Sequence, residues 1–426
     1  MSKKRYILKI FILLFLILGC QEKKSITLEL GVFAGSAWDT PNLNTFIMFD
    51  EIIDMFQESY PWIKITYKSG ILKEDYSEWL SQKILKNREP DIFLVLPEDF
   101  TTFASIGILE NLNDYLLINR KEGIYENIMK SGQQDGKQYG IPFEVNPTFM
   151  FVNKSLLDRE GLNFPSKNWT WKEFLDYSEI LTKDTNNDGF IDQYGVKNFN
   201  WTFAVFSNGE TLFNKEGTKS FLNTPGVRDS CELLASIELL NKKGISKTFD
   251  SGSIAFEPNT YSTFRTYGYY PYNILKFGNF DWSTTLMPRG PNGQNAVDIK
   301  SLLIGISSRS REKKAASQFI NFIINNRESQ ISILRNSKGL PLRKDVLYSE
   351  EARSILTKAL SSPDRAITQE TIIDTVENSI IVPKFRKYDA TLGLIDKEII
   401  QIPMNSTIIQ NDLARLERII NEQLQK

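Results

Sequence analysis

No histidine occurs anywhere in the 426 residues. That excludes Ser-His-Asp and Cys-His nucleophilic machinery, histidine-ligated metals and the commonest general base near neutral pH. Carboxylate chemistry, oxygen-ligated metals and binding without chemistry remain. Glu98 and Asp99 follow an apolar run, and Glu144 stands in a second one. Two carboxylates such as Glu98 and Glu144 are all that glycoside hydrolysis requires, but no catalytic motif separates either from an ordinary loop acid. The run Asp184–Asp192 (DTNNDGFID) follows D-x-N-x-D-G. This spacing can set the oxygens of Asp184, Asn186, Asp188 and Asp192 and the Phe190 carbonyl around Ca²⁺, with Gly189 allowing the sharp turn. Gly195 stands where the bidentate Glu of such a loop is expected, so a structural calcium site and a metal-free turn are both open.

Aromatic residues make up 12% of the chain, with seven Trp. Trp38 sits between Ala37 and Asp39 in the polar loop 35–44, where it is either a stacking platform or a core residue. Trp282 lies in a strand-like run and is open in the same way. Trp62, Trp79, Trp169 and Trp171 fall on apolar faces or at helix starts and read as packing or capping residues. Fifty-one Lys plus Arg against 52 Asp plus Glu leave a net charge of −1, without the basic excess that nucleic-acid binding needs.

The elements that must position these residues are legible. Residues 26–33 alternate apolar and polar, 63–67 and 91–96 read as further strands, and helices with apolar stripes intervene (Phe49, Ile52, Ile53 and Phe56; then Tyr76, Trp79, Leu80 and Ile84). This βαβαβ order implies a mostly parallel sheet flanked by helices. Ligands of such sheets sit beyond the carboxyl ends of the strands, which singles out the loops carrying Trp38 and Glu98–Asp99. Further strands are expected at 149–152 and 301–306, and helices at 171–182, 224–240, around 316–323 and at 411–426.

The N-terminus carries Lys3, Lys4 and Arg5, an apolar run to Leu18 broken only by Lys9, and then Gly19-Cys20. It reads as a signal peptide over 1–19 rather than a membrane span. Leu18-Gly19-Cys20 resembles the bacterial lipobox, which implies lipidation of Cys20 and tethering outside the cytoplasmic membrane. Cleavage there removes four basic residues and no acid, taking the charge from −1 to −5. Cys231, the only other cysteine, is expected in the core.

The segment 141–174 (IPFEVNPTFMFVNKSLLDREGLNFPSKNWTWKEF) resembles the lobe-crossing region of family 1 extracellular solute-binding proteins, the sugar-binding components of ABC importers, similar to maltose-binding protein. The matching positions are Pro142, Phe143, Asn153-Lys154, Leu157, Gly161, Pro165, Trp171 and Phe174; Val152 stands where the family usually has tyrosine. Glu89-Pro90-Asp91-Ile92, Gly107-Ile108-Leu109, Phe280–Pro291, Gly305-Ile306-Ser307 and Gly339–Val346 extend the likeness, in order, over nearly all of the mature chain.

The resemblance implies a two-lobed α/β fold of the periplasmic-binding-protein kind, each lobe a mostly parallel sheet flanked by helices, with the ligand cleft at the hinge. Lobe 1 is expected to hold 26–143 and 300–345, and lobe 2 to hold 144–299 and 346–426. It further implies a monomer that delivers a carbohydrate, most readily an oligosaccharide, to ABC permease subunits. For the site, it points to Trp201 as a second aromatic platform, to Asn146 where the family has a hydroxyl-binding carboxylate, and to Arg265 and Tyr267 at the cleft border. Trp38→Ala and Trp201→Ala are expected to weaken binding by roughly 1–3 kcal/mol each if both stack. A secreted glycosidase and a tethered sugar sensor are the alternatives. Without histidine, binding is expected to change little between pH 6 and 8.

Overall fold

In a computed structural model, residues 25–38, 40–117, 123–242, 244–267, 279–357, 367–399, 401–402 and 406–425 are described. Cys20 and the signal segment lie outside them, as do residues 268–278. Among the described residues no helix is long and apolar enough to cross a membrane.

The chain opens β1(Ile26–Gly31), α1(Thr45–Ser59), β2(Ile63–Tyr67), α2(Lys73–Leu85), β3(Ile92–Val95) and α3(Pro97–Ser105). The stripe read from sequence on α1 is its buried face: Phe49, Ile52 and Phe56 are fully buried. β4(Ile141–Asn146) then leads through Pro147 into β5(Thr148–Asn153), the first crossing between lobes. The second lobe adds α4(Trp171–Leu181), β6(Tyr194–Val196), α5(Trp201–Ser207), α6(Pro225–Leu240), β7(Ile254–Thr260), α7(Tyr261–Thr266) and β8(Trp282–Thr285). The chain returns to the first lobe as β9(Lys300–Ile306), α8(Lys313–Asn325), α9(Arg327–Asn336), α10(Glu350–Thr357) and α11(Gln369–Glu377). It crosses a last time into α12(Tyr388–Ile399) and α13(Ser406–Gln425).

Two sheets result, ordered β2-β1-β3-β9-β4 and β8-β5-β7-β6. The expected two-lobed α/β fold is present, but neither sheet is mostly parallel. β1 pairs in parallel with β2 and β3, whereas β9 runs antiparallel to both β3 and β4. In the second sheet only β6–β7 is parallel; β5 is antiparallel to β7 and β8. The local βαβαβ pattern describes only the first three strands. β9 enters its sheet from the other lobe, so no βαβ connection fixes its direction.

The lobe boundary expected at 345 also moves. Ala352, Leu356, Ile372, Ile373 and Val376 are buried in the core cluster that contains the first-lobe sheet. Asn127 Nδ2 donates to the Val376 carbonyl (3.0 Å), and Gln369 Nε2 donates to those of Leu347 and Ser349. Residues 346–357 and 367–377 therefore pack with lobe 1, and the last crossing follows Glu377. There it pairs with the second crossing: Ile380 N–H donates to the Val297 carbonyl (2.8 Å) and Ile299 N–H to that of Ile380 (3.2 Å). The hinge thus consists of three strands of chain around 146–148, 297–300 and 378–387.

Candidate cleft between the lobes

A cavity of about 680 Å³ opens between the two sheets. Lobe 1 contributes Trp38, Thr40 and Glu98; lobe 2 contributes Asn200, Phe203 and Asn259; the crossings contribute Asn146, Asp298, Lys300 and Lys384. Pro97 opens α3, where its missing N–H costs nothing, and so turns exposed Glu98 into the cavity at the end of β3. The first-strand loop brings in Trp38, which is 6% exposed; its indole N–H is buried and makes no hydrogen bond of good geometry, lying near enough to Glu144 to favour the carboxylate.

The other sequence candidates lie elsewhere. Asp99, one residue past Glu98, faces α2 and accepts a 2.6 Å hydrogen bond from Ser77 Oγ. Burial raises its pKa against that bond. Asn146 does line the cavity, but its amide is engaged: Nδ2 donates to Ser262 Oγ and Oδ1 accepts from Ser262 N–H, both at 3.0 Å. It holds the crossing strand to α7 rather than presenting a free amide. Glu144 lies behind the crossing, 4% exposed, accepting the Gly339 N–H at 3.1 Å. A Cβ on Gly339 would stand 2.9 Å from the Glu144 carboxylate, so only glycine permits this approach. Glu98 and Glu144 therefore do not face one reaction site, and the glycosidase pairing fails on geometry.

Trp201 does not take the platform position that the resemblance implied; Phe203, two residues on, does. Asn200 caps α5 by accepting the Phe203 N–H, and two residues on a helix point about 200° apart. Trp201 turns inward, donates from Nε1 to Asp396 Oδ1 (2.6 Å) and packs with Leu413 and Leu416 of α13. Phe203, half-buried, is the aromatic group on the second-lobe wall. Trp282 and Tyr267 are core residues. Trp282 is fully buried and stacks on Phe151 (centroids 5.1 Å, 13°), with Tyr267 edge-on to both. Arg265 points away from the cavity. Nη1 donates to Tyr261 Oη (3.0 Å) and the Leu334 carbonyl (2.7 Å), and Nη2 donates to the Arg335 carbonyl (3.1 Å), tying lobe 2 to the last turn of α9.

The acidic loop satisfies itself. Asp184 accepts from the N–H groups of Asp188 and Gly189, Asn186 from Asp188, Asp188 from Phe190, and Asp192 from Thr185. Among the described residues no three His, Cys, Asp or Glu side chains converge to hold a metal. Asp184, Asn186, Asp188 and Asp192 thus accept from amides of their own loop, with Gly195 at the position of the closing Glu.

Several cleft residues carry no sequence motif. Asp298 and Lys300 sit on the second crossing and Lys384 on the third, 4.0 Å from Asp389. Burial raises the pKa of Asp298, against the pull of Lys300 and Lys384, and lowers that of Lys384, against Asp389 and Asp298. Thr40 Oγ1 and Ser301 Oγ line the cavity, buried and without hydrogen-bond partners among the described residues. Behind the hinge, burial and the Arg265 charge bring Lys338 down to about 8. One group therefore does titrate at the edge of the range that the missing histidine seemed to leave empty. Only the pairing of the crossings reveals this set.

Residues 47–330 match the family described as bacterial extracellular solute-binding protein. The galactooligosaccharide-binding protein of Bacillus subtilis is 24% identical over 319 residues, 68% of this chain and 71% of that one. Among solved structures, the cyclic α-maltosyl-1,6-maltose binding protein of Arthrobacter globiformis superposes with a TM-score of 0.76 at 17% identity, covering 94% of this chain and 99% of that one. A cyclo/maltodextrin-binding protein complexed with maltotetraose superposes at 0.71 and 15%, covering 96% and 99%. With its two lobes, hinge and cleft, the chain belongs to the bacterial extracellular solute-binding proteins, non-catalytic binding components of transporters.

Proposed function

We propose that the protein captures a neutral oligosaccharide in the inter-lobe cleft and delivers it, by lobe closure, to the permease of an ABC importer. One observation carries this reading: the lining of the cavity. Trp38 and Phe203 bring aromatic surface from opposite lobes, while Glu98, Asn200, Asp298 and the hydroxyls of Thr40 and Ser301 stand among them. Sugars present apolar C–H faces and many hydroxyls, so they need both kinds of surface. A volume of about 680 Å³ lies within the roughly 300–1,000 Å³ of small-molecule sites. Among the described residues, Lys73, Lys300 and Lys384 balance the acids Glu98, Asp298 and Asp389, which favours an uncharged solute. The saccharides named for the relatives support the same class. Tethering through a lipid on Cys20 rests on the Leu18-Gly19-Cys20 pattern alone.

Titration calorimetry against maltotetraose, cyclic α-maltosyl-1,6-maltose and galactooligosaccharides tests the reading, with saturable heat expected for at least one. Phe203→Ala should then weaken that binding by about 1–2 kcal/mol through the lost aromatic surface. Trp201→Ala should leave affinity nearly unchanged and lower stability instead. No heat with any of the three would refute the oligosaccharide assignment.

A further inference from the structure

The two crossings that pair at Ile299 and Ile380 deliver an unusual set of side chains to the cleft floor. Asp298 is half-buried, yet among the described residues its carboxylate has no hydrogen bond from another residue and no ion pair. The charges nearest to it are Lys300 on β9 and Lys384 on the last crossing, and both pull on it without closing to an ion pair. Lys384 is 4.0 Å from Asp389. Three residues along, Ser301 is 5% exposed, and its hydroxyl lacks any partner among the described residues. All of these residues line the same cavity.

Buried polar groups are ordinarily paired, and an unpaired one calls for an explanation. A carboxylate between two ammonium groups that it does not touch has room for something that accepts from lysine and donates to carboxylate together. A hydroxyl does both, and two adjacent hydroxyls match the two oxygens of one carboxylate. Water would satisfy these atoms only until a solute displaced it. The position also matters mechanically, since Asp298 belongs to the hinge itself and not to either wall.

We propose that Asp298, supported by Ser301, is the principal specificity-determining group of the cleft, reading a vicinal diol of the bound saccharide against Lys300 and Lys384. This rests on the oligosaccharide reading above. The groups facing Asp298 are Lys300 from β9, Lys384 from the last crossing, and Tyr388 and Asp389 from α12, with Glu98 of α3 next to Asp389. Protonation of Asp298 removes the charged acceptor, so affinity should fall as pH is lowered through its raised pKa and hold above it.

The test uses the full chain and whichever saccharide of the three named above the wild type binds most tightly. Asp298→Asn should weaken that binding at least tenfold at pH 7 and flatten the acid limb of the affinity–pH profile. Ser301→Ala, a smaller change, should weaken it severalfold and leave the limb in place. A wild type that binds none of the three overturns the oligosaccharide reading and this inference together. A wild type that binds, with both variants within twofold of it, overturns this inference alone. If Asp298→Asn does not fold, unchanged affinity in Ser301→Ala together with a flat wild-type profile would overturn it.

Discussion

Trp282→Ala is expected to destabilise the protein by about 3–5 kcal/mol, the range for removing a large aromatic side chain from a packed core. The indole is fully buried. It stacks on Phe151 and receives the edges of Phe249, Phe264 and Tyr267 at centroid distances between 5.8 and 6.3 Å. These rings come from β5, β7's flanking segments and α7, so the cavity left behind would loosen the sheet beside the first crossing. Trp282→Phe should lose less, because the stack on Phe151 survives. Denaturant unfolding checks both, and an alanine variant within 1 kcal/mol of wild type would show that the stack is not the keystone of the second lobe.

Arg265→Ala should lower stability by about 2–4 kcal/mol, since hydrogen bonds to charged groups contribute roughly 1.5–3 kcal/mol each and are not additive. The loss falls between the lobes. The carbonyls of Leu334 and Arg335 at the end of α9 lose a cation placed where the helix dipole favours one. Arg265→Lys should rescue little, because an ammonium cannot fork between two carbonyls and the Tyr261 hydroxyl. Removing the guanidinium also frees Lys338 from a repelling charge, so the Lys338 pKa should climb from about 8 towards its ordinary 10.5. The sign follows: a lysine depressed in the native state carries its stability penalty at pH values below about 8, and the penalty fades as pH rises towards 10.5. The Arg265 variant should therefore show a weaker rise of stability with alkaline pH than the wild type. Equal pH slopes and a stability loss below 0.5 kcal/mol would contradict the clasp.

The legible parts of this fold were those written in local periodicity. The alternation over Ile26–Gly31 and the stripe of Phe49, Ile52, Ile53 and Phe56 reappear as β1 and the buried face of α1. The family likeness at 141–174 falls on the first crossing. The direction of β9 was not legible, because its partners β3 and β4 lie about 200 and 160 residues earlier in the chain. The site was read less well for a related reason. The family resemblance pointed to Trp201, but a two-residue step around α5 sends Trp201 inward and Phe203 to the cleft. Arg265 has the chemistry to bind an anion or a hydroxyl, and its guanidinium is used on backbone carbonyls of the opposite lobe. Asp298 and Ser301 belong to no motif. They matter because two distant crossings pair side by side, a relation that no window of sequence contains.

Small-angle X-ray scattering of the protein with and without a saturating saccharide tests the central claim most directly. Capture by lobe closure predicts a smaller radius of gyration on binding, with the saccharide recovered intact afterwards. An unchanged radius of gyration in a sample whose calorimetry shows full occupancy would contradict it.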